Sequence, residues 1–214
     1  IKAGCVVVFD FVPVSPDGKQ APVTHKPSDI AVGASRPQLR AVAPQGEAND
    51  NGSLPLSSRN PLDVLAQEHR FQAEVCNGLE RIADGLPDEI DRRLCQQVVS
   101  CLRYDLPLHH RDEEEGLFPL LRGRAAEGDS IHEVLDHLER DHSTDEGFAD
   151  ELIETLERLA AGHRPPNPEM VGYMLRGFFE GYRRHIHWEE TLVIPLARQM
   201  LTEDDRAALA ACMS

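Results

Sequence analysis

Two stretches of this chain carry the same design, and any fold must bring them to one place. The first is His109-His110-Arg111-Asp112-Glu113-Glu114-Glu115-Gly116-Leu117-Phe118-Pro119. The second is His185-Ile186-His187-Trp188-Glu189-Glu190-Thr191-Leu192-Val193-Ile194-Pro195. Superposed at an offset of 76 (185 against 109), His109 falls on His185, Glu113 on Glu189, Glu114 on Glu190 and Pro119 on Pro195. The competing register fails, because His110 falls on Ile186. The repeated unit is therefore His-x-x-x-Glu-Glu followed by apolar residues and a proline. Residues four apart share one face of a helix, so each unit presents an imidazole and a carboxylate to one point. That pairing suits a transition metal.

The repeat extends to the preceding segments. At an offset of 73, Leu62 falls on Leu135, Leu65 on Leu138, Glu68 on Asp141, His69 on His142 and Leu79 on Leu152. The chain thus reads as two copies of a helical hairpin, each giving one His from its first helix and His-x-x-x-Glu from its second. Helix one starts at Asn60-Pro61, with Asn as cap and Pro in the first turn. Gly85-Leu86-Pro87 closes it and opens helix two, which carries Ile90 and Leu94 inward and is interrupted by Pro107, where a kink is expected. Ser130-x-x-Glu133 reads as a capping box for helix three. Asn167-Pro168 opens helix four, with Leu192 and Leu196 expected inward beyond Glu189. Thr202-x-x-Asp205 opens a short final helix. Four amphipathic helices with short connections predict an all-α, up-down-up-down four-helix bundle.

The predicted metal ligands are His69, His109, Glu113, His142, His185 and Glu189. All lie on inward stripes, where a polar group must be paired or ligating. Six ligands suit two ions, and mixed imidazole and carboxylate without thiolate favours iron. With Glu113 and Glu189 bridging, about two positions per ion stay open for an oxo or hydroxo bridge and a small exogenous molecule. Without metal, the two carboxylates are expected to repel one another. Glu114, Glu115 and Glu190 read as a solvated face or as outer partners of the ligands, and His110 and His187 as outer or surface residues. Glu68 and Asp141 are candidates to orient imidazoles. Asp145 and Glu146, three and four residues after His142, are candidates for further polar groups at the metals, as are His132 and His137. Tyr104, Tyr182 and Trp188 are expected to pack.

Residues 1–58 balance their charges, so the net charge of −15 falls on 59–214. Pro, Gly, Ser and Ala are frequent there, giving a loosely ordered extension or linker with one possible strand over Cys5–Val14. No basic clustering suggests nucleic acid, and Cys5–Phe9 is far too short to span a bilayer. Five cysteines without Cys-x-x-Cys suggest neither a disulfide framework nor a zinc knuckle. Reduced, mostly buried thiols in a cytoplasm are expected.

Residues 60–210 resemble the hemerythrin-like (HHE, cation-binding) domain family. The order His, His-x-x-x-Glu, His, His-x-x-x-Glu and the Leu117-Phe118-Pro119 ending carry the resemblance. It implies a four-helix bundle around a non-heme diiron centre, with the family's ligands on the six residues above. It also implies a protein that binds or reacts with O2, peroxide or NO in sensing or stress defence. Oxygen-carrying hemerythrins have a second His four residues from the first on the third helix; here those positions are Leu138 and Glu146. The four-His, two-Glu set is closer to bacterial diiron proteins that repair iron–sulfur clusters. Those carry an N-terminal domain with adjacent cysteines, whereas residues 1–58 hold only Cys5. A repair or iron-donating protein, and a structural metal bundle, are the alternatives.

Overall fold

The computed structural model describes residues 60–213; the expected extension and its strand lie outside them. Among these residues there are five helical rods and no strand. Helix α1 is Pro61–Asp84. Rod α2 runs over 92–124, as Arg92–Ser100, Leu106–Asp112 and Phe118–Arg124 joined by the π-turns Cys101–Asp105 and Glu113–Leu117. Helix α3 is Ile131–Ala160. Rod α4 runs over 168–200, as Pro168–Trp188 and Ile194–Met200 joined by the π-turn Glu189–Val193. Helix α5 is Glu203–Cys212. α1 packs on α4 and α2 on α3, while α1–α2 and α3–α4 contacts close the ring. This is the expected all-α bundle.

Local chemistry sets the ends. Leu62 N–H donates to Asn60 Oδ1 at 3.1 Å, and Met170 N–H donates to Asn167 Oδ1 at 3.0 Å, so both Asn-Pro starts cap as the sequence predicts. Thr202 and Asp205 form a reciprocal capping box on α5. Two starts differ. Ser130 makes no side-chain cap; its φ of −60° and ψ of −18° are already helical, and Asp129 Oδ1 takes the Ile131 N–H instead, at 3.2 Å. Rod α2 begins at Arg92 rather than near Pro87, because Asp91 Oδ1 caps the Leu94 N–H at 3.0 Å. Ile90 is left half-buried ahead of the helix.

All three π-turns precede a proline at the second position of the next segment: Pro107, Pro119 and Pro195. Proline offers no N–H to the helical ladder. The chain absorbs that defect by one wide turn, in which Leu106 N–H reaches Cys101 O, Phe118 N–H reaches Glu113 O and Ile194 N–H reaches Glu189 O. Such turns concentrate at functional sites, and here two of them start on the predicted glutamate ligands. The break expected at Pro107 takes this form as well.

A wide turn also returns to the same face later. Leu192 is therefore exposed and Leu196 only half-buried, against expectation, while Val193 and Ala197 are fully buried. They join Leu62, Leu65, Phe118, Leu121 and Leu135 in an apolar layer at one end of the bundle, under Leu209 of α5. Each such side chain is worth about 1.5–3 kcal/mol when fully buried. α5 fits closely over the second π-turn of α2. A Cβ at Gly116 would stand 2.7 Å from Leu209 Cδ1.

Cys76 and Cys95 are fully buried. Burial pushes their thiols up to about 12 and about 11, so they fill the core and are inert. Tyr104 and Trp188 are exposed rather than packed; Tyr182 is buried.

Candidate metal centre

Beside the apolar layer, the inward faces of all four long helices turn polar. His69 from α1, His109 and Glu113 from α2, His142 from α3, and His185 and Glu189 from α4 are each at most 3 % exposed. The two predicted His-x-x-x-Glu units face each other across the bundle, with His69 and His142 filling the other two sides.

The carboxylates lie between the rings. Glu113 Oε1 is 3.4 Å from His69 Nε2, and its Oε2 is 3.4 Å from His109 Nε2 and 3.5 Å from His142 Nε2. Glu189 Oε2 is 3.2 Å from His69 Nε2, and its Oε1 is 3.1 Å from His185 Nε2 and 3.6 Å from His142 Nε2. Each carboxylate thus offers its two oxygens to different imidazoles. His142 Nε2 and His185 Nε2 are 3.1 Å apart. Ligand atoms about 2.1 Å from one ion stand about 3.0 Å apart at a right angle and about 3.4 Å apart at the tetrahedral angle. Five of the seven spacings fall between those edges, and the two from His142 to the glutamates, 3.5 and 3.6 Å, are slightly longer.

Several of these atoms have no hydrogen-bond partner. His69 Nε2, His109 Nε2 and all four oxygens of Glu113 and Glu189 are buried without a properly directed hydrogen bond. Leaving such atoms unpaired costs about 1–3 kcal/mol each, more for charged groups. Two groups of donor atoms cluster within 4.8 Å: His69, His109, Glu113 and Glu189; and His110, His142 and His185.

A second ring of carboxylates holds the imidazoles from behind. Glu190 Oε1 is 2.7 Å from His69 Nδ1, Glu68 Oε2 3.0 Å from His109 Nδ1, and Glu114 Oε1 2.8 Å from His142 Nδ1. Accepting the Nδ1 proton fixes the tautomer and turns Nε2 to the centre, as metal-bound histidines require. Asp141 and Asp145 stand 3.9 and 4.0 Å from His185 Nδ1, beyond hydrogen-bond length. The pattern follows the sequence repeat. Glu68 acts within its own hairpin, and Asp141 lies nearest the histidine of its own, whereas Glu114 and Glu190 cross to the other one. So Glu114 and Glu190 are outer partners, and Glu115 is the solvated one.

The carboxylates also set the charge state before a cation binds. Burial opposes a proton on His69, but contact with Glu113 and Glu189 overrides it and raises its pKa from 6.5 to about 11. His142 rises to about 9 against burial, through Glu189, Glu113 and Glu114, and His185 is raised too. Burial disfavours the Glu189 charge, yet His185, His142 and His69 hold its carboxyl well below the usual range. The expected repulsion between Glu113 and Glu189 is opposed in the metal-free centre by the imidazoles between them, whose pKa values the carboxylates raise.

Of the remaining candidates, His187 and His137 are exposed, and His137 pairs with Asp141 at 3.6 Å. His132 Nε2 meets Ala126 O at 3.1 Å, away from the centre. Asp145 and Glu146 face imidazoles from outside. His110, read as an outer or surface residue, is 1 % exposed and stacks on His142 with centroids 4.0 Å apart. The 76-residue repeat could not reveal it, because its counterpart is Ile186. A surface cleft by Arg122, Gly128 and His132 is away from these groups. A narrow apolar cleft lined by Gln72, Val75, Leu106, Phe178 and Tyr182 approaches the site, one helical turn from His69, His109 and His185.

A bundle with buried glutamates and histidines, most of the histidines backed by carboxylates, defines a class of metal-binding helical proteins. The family model described as the hemerythrin HHE cation-binding domain matches residues 60–197, well over half of the chain, and the chain belongs to that family. It is also 30% identical over 148 residues to an uncharacterized protein of Haemophilus influenzae, covering 67% of this chain and 82% of that one. Among the described residues, no helix is long and apolar enough to cross a membrane.

Proposed function

We propose that this is a non-heme diiron protein that binds or reacts with O2, peroxide or NO in sensing or stress defence, in a reducing, cytoplasmic setting. His69, His109, Glu113, His142, His185 and Glu189 hold the two ions. One observation carries the reading: all four oxygens of two fully buried glutamates converge, without hydrogen bonds, on imidazole nitrogens at 3.1–3.6 Å.

Iron bound there supplies a redox-active Lewis acid for a small oxidant or diatomic. The chain's own groups do the rest. Glu113 and Glu189 neutralise positive charge in an interior where a lone cation would be costly. Glu190, Glu68 and Glu114 hold their imidazoles in one tautomer. The apolar layer of Leu65, Leu117 and Val193 excludes water on one side. On the other, the cleft at Gln72 and Tyr182 is nearly closed, with room for about one water. Burial of all six ligands favours a retained centre over one that donates its iron.

Metal analysis and optical spectroscopy of protein from iron-rich cells test this. About two irons per chain are expected, with a spectrum that changes on adding O2, H2O2 or NO. A colourless protein holding zinc, or a single ion per chain, would overturn the reading.

A further inference from the structure

Rod α4 turns one face outward that is unlike the rest of the surface. Among the described residues, five large hydrophobic side chains stand exposed, and four of them, Met170, Tyr173, Trp188 and Leu192, belong to this rod. At about 100° per residue, Met170, Tyr173, Gly177, Gly181, Arg184 and Trp188 fall within about 40° of one line down the helix. Tyr173 is 77 % and Trp188 55 % exposed, and Gly177 and Arg184 are exposed with them. Single apolar groups on a surface need no explanation, whereas a line of them marks a contact face.

The line is complementary to itself. A two-fold axis at position 179 lays α4 antiparallel on the α4 of a second copy. Met170 of each copy then comes opposite Trp188 of the other, Gly177 opposite Gly181, and Tyr173 within one residue of Arg184. A thioether on an indole and a guanidinium on a phenol ring are both favourable pairs, and glycines at the crossing let the two backbones approach. A two-fold interface requires that each contact occur twice with the roles exchanged, and this face meets that condition.

Charge points to the same occupant. Residues 168–200 hold four arginines and four glutamates, whereas residues 131–160 of α3 hold ten acidic residues and two arginines. In a chain of net charge −15, acidic faces keep two copies apart, and α4 offers a neutral one.

We propose that α4 is a self-association surface, pairing antiparallel with the α4 of a second copy about Gly177 and Gly181. Tyr173 and Trp188 together offer roughly 300 Å² per copy. With Met170 and Arg184 the contact reaches about 1,000 Å² over both copies, the range of small interfaces, so the dimer is micromolar rather than nanomolar.

Sedimentation equilibrium of the full chain across about 5–500 μM, with tryptophan emission read on the same samples, tests it. Trp188 is the one tryptophan of the chain. The mass should rise from one chain towards two, and the emission should shift to the blue in step as the indole leaves water. Gly177→Glu should stay monomeric with an unchanged circular dichroism spectrum, because a Cβ there meets only Phe148, at an ordinary 3.6 Å. Arg184→Glu should weaken the dimer about 5- to 30-fold, since two cation–π contacts are lost per dimer. Adding Tyr173→Lys should recover that loss, because opposite charges then face each other across the axis. A wild type that stays monomeric at the top of the range overturns the proposal, whatever else covers the face. So does a dimer whose tryptophan emission does not move, a dimer that Gly177→Glu leaves intact, or a charge exchange that recovers nothing.

Discussion

Metal entry at neutral pH should expel protons, and the structure says from where. In the metal-free centre, burial resists charge on His69 and His142, yet the glutamates raise them to about 11 and about 9. At pH 7 both therefore carry a proton, and a cation needs the lone pair that the proton occupies. Each pH unit below a pKa costs about 1.4 kcal/mol to deprotonate. The gaps of about four and about two units amount to roughly 5 and roughly 3 kcal/mol. About two protons per chain should leave on loading; His142 Nε2 and His185 Nε2, 3.1 Å apart, share a single proton between them. Log apparent affinity should climb with pH by about two per unit up to about pH 9, and by about one per unit from there to about pH 11. Cobalt(II) or zinc(II) added to metal-free protein in weak buffer with an indicator dye would count the protons. Release of fewer than one per chain at pH 7 would mean the imidazoles are already neutral, and would refute the interleaved charge pattern.

The same groups fix how the metal-free fold responds to pH. The raised His69 and His142 contribute stability that is complete below about 6.5 and lost as pH rises through about 9 and about 11; the depressed Glu189 contributes stability present above about 4.5 and lost below it. Calorimetry should find the metal-free midpoint falling from pH 6.5 to 10, and a rise over that interval would contradict the argument. Glu113→Gln should weaken metal binding and also destabilise the metal-free protein by about 3–5 kcal/mol at pH 7 in denaturant melts, because buried His69 and His142 lose a partner; a stabilised variant would restore the idea of two repelling carboxylates. Gly116→Ala should cost about 1–3 kcal/mol through overpacking against Leu209. Adding Leu209→Ala should recover part of it, and strictly additive losses would show that the contact does not govern α5.

The sequence by itself determined the helices, most of their caps and the six polar side chains that meet inside the bundle. Asn60, Asn167 and the Thr202–Asp205 box act through neighbours within a few residues, so local chemistry suffices. Those six side chains were legible because a fourfold spacing on a helix and a repeated offset are one-dimensional facts. Tertiary structure decided the rest. Leu192 and Leu196 yielded the inward face to Val193 and Ala197 because an ideal helical period does not count the wide turn ahead of Pro195. Ser130 lost its cap to Asp129, whose side chain reaches the free N–H while Ser130 is already helical. Glu114 and Glu190 became partners of histidines in the opposite hairpin, and His110 found Glu146 on α3, through pairings that no fixed spacing records. The charge state of the centre belongs here too. Two buried carboxylates read from sequence alone predict repulsion, and only their placement between four imidazoles opposes it.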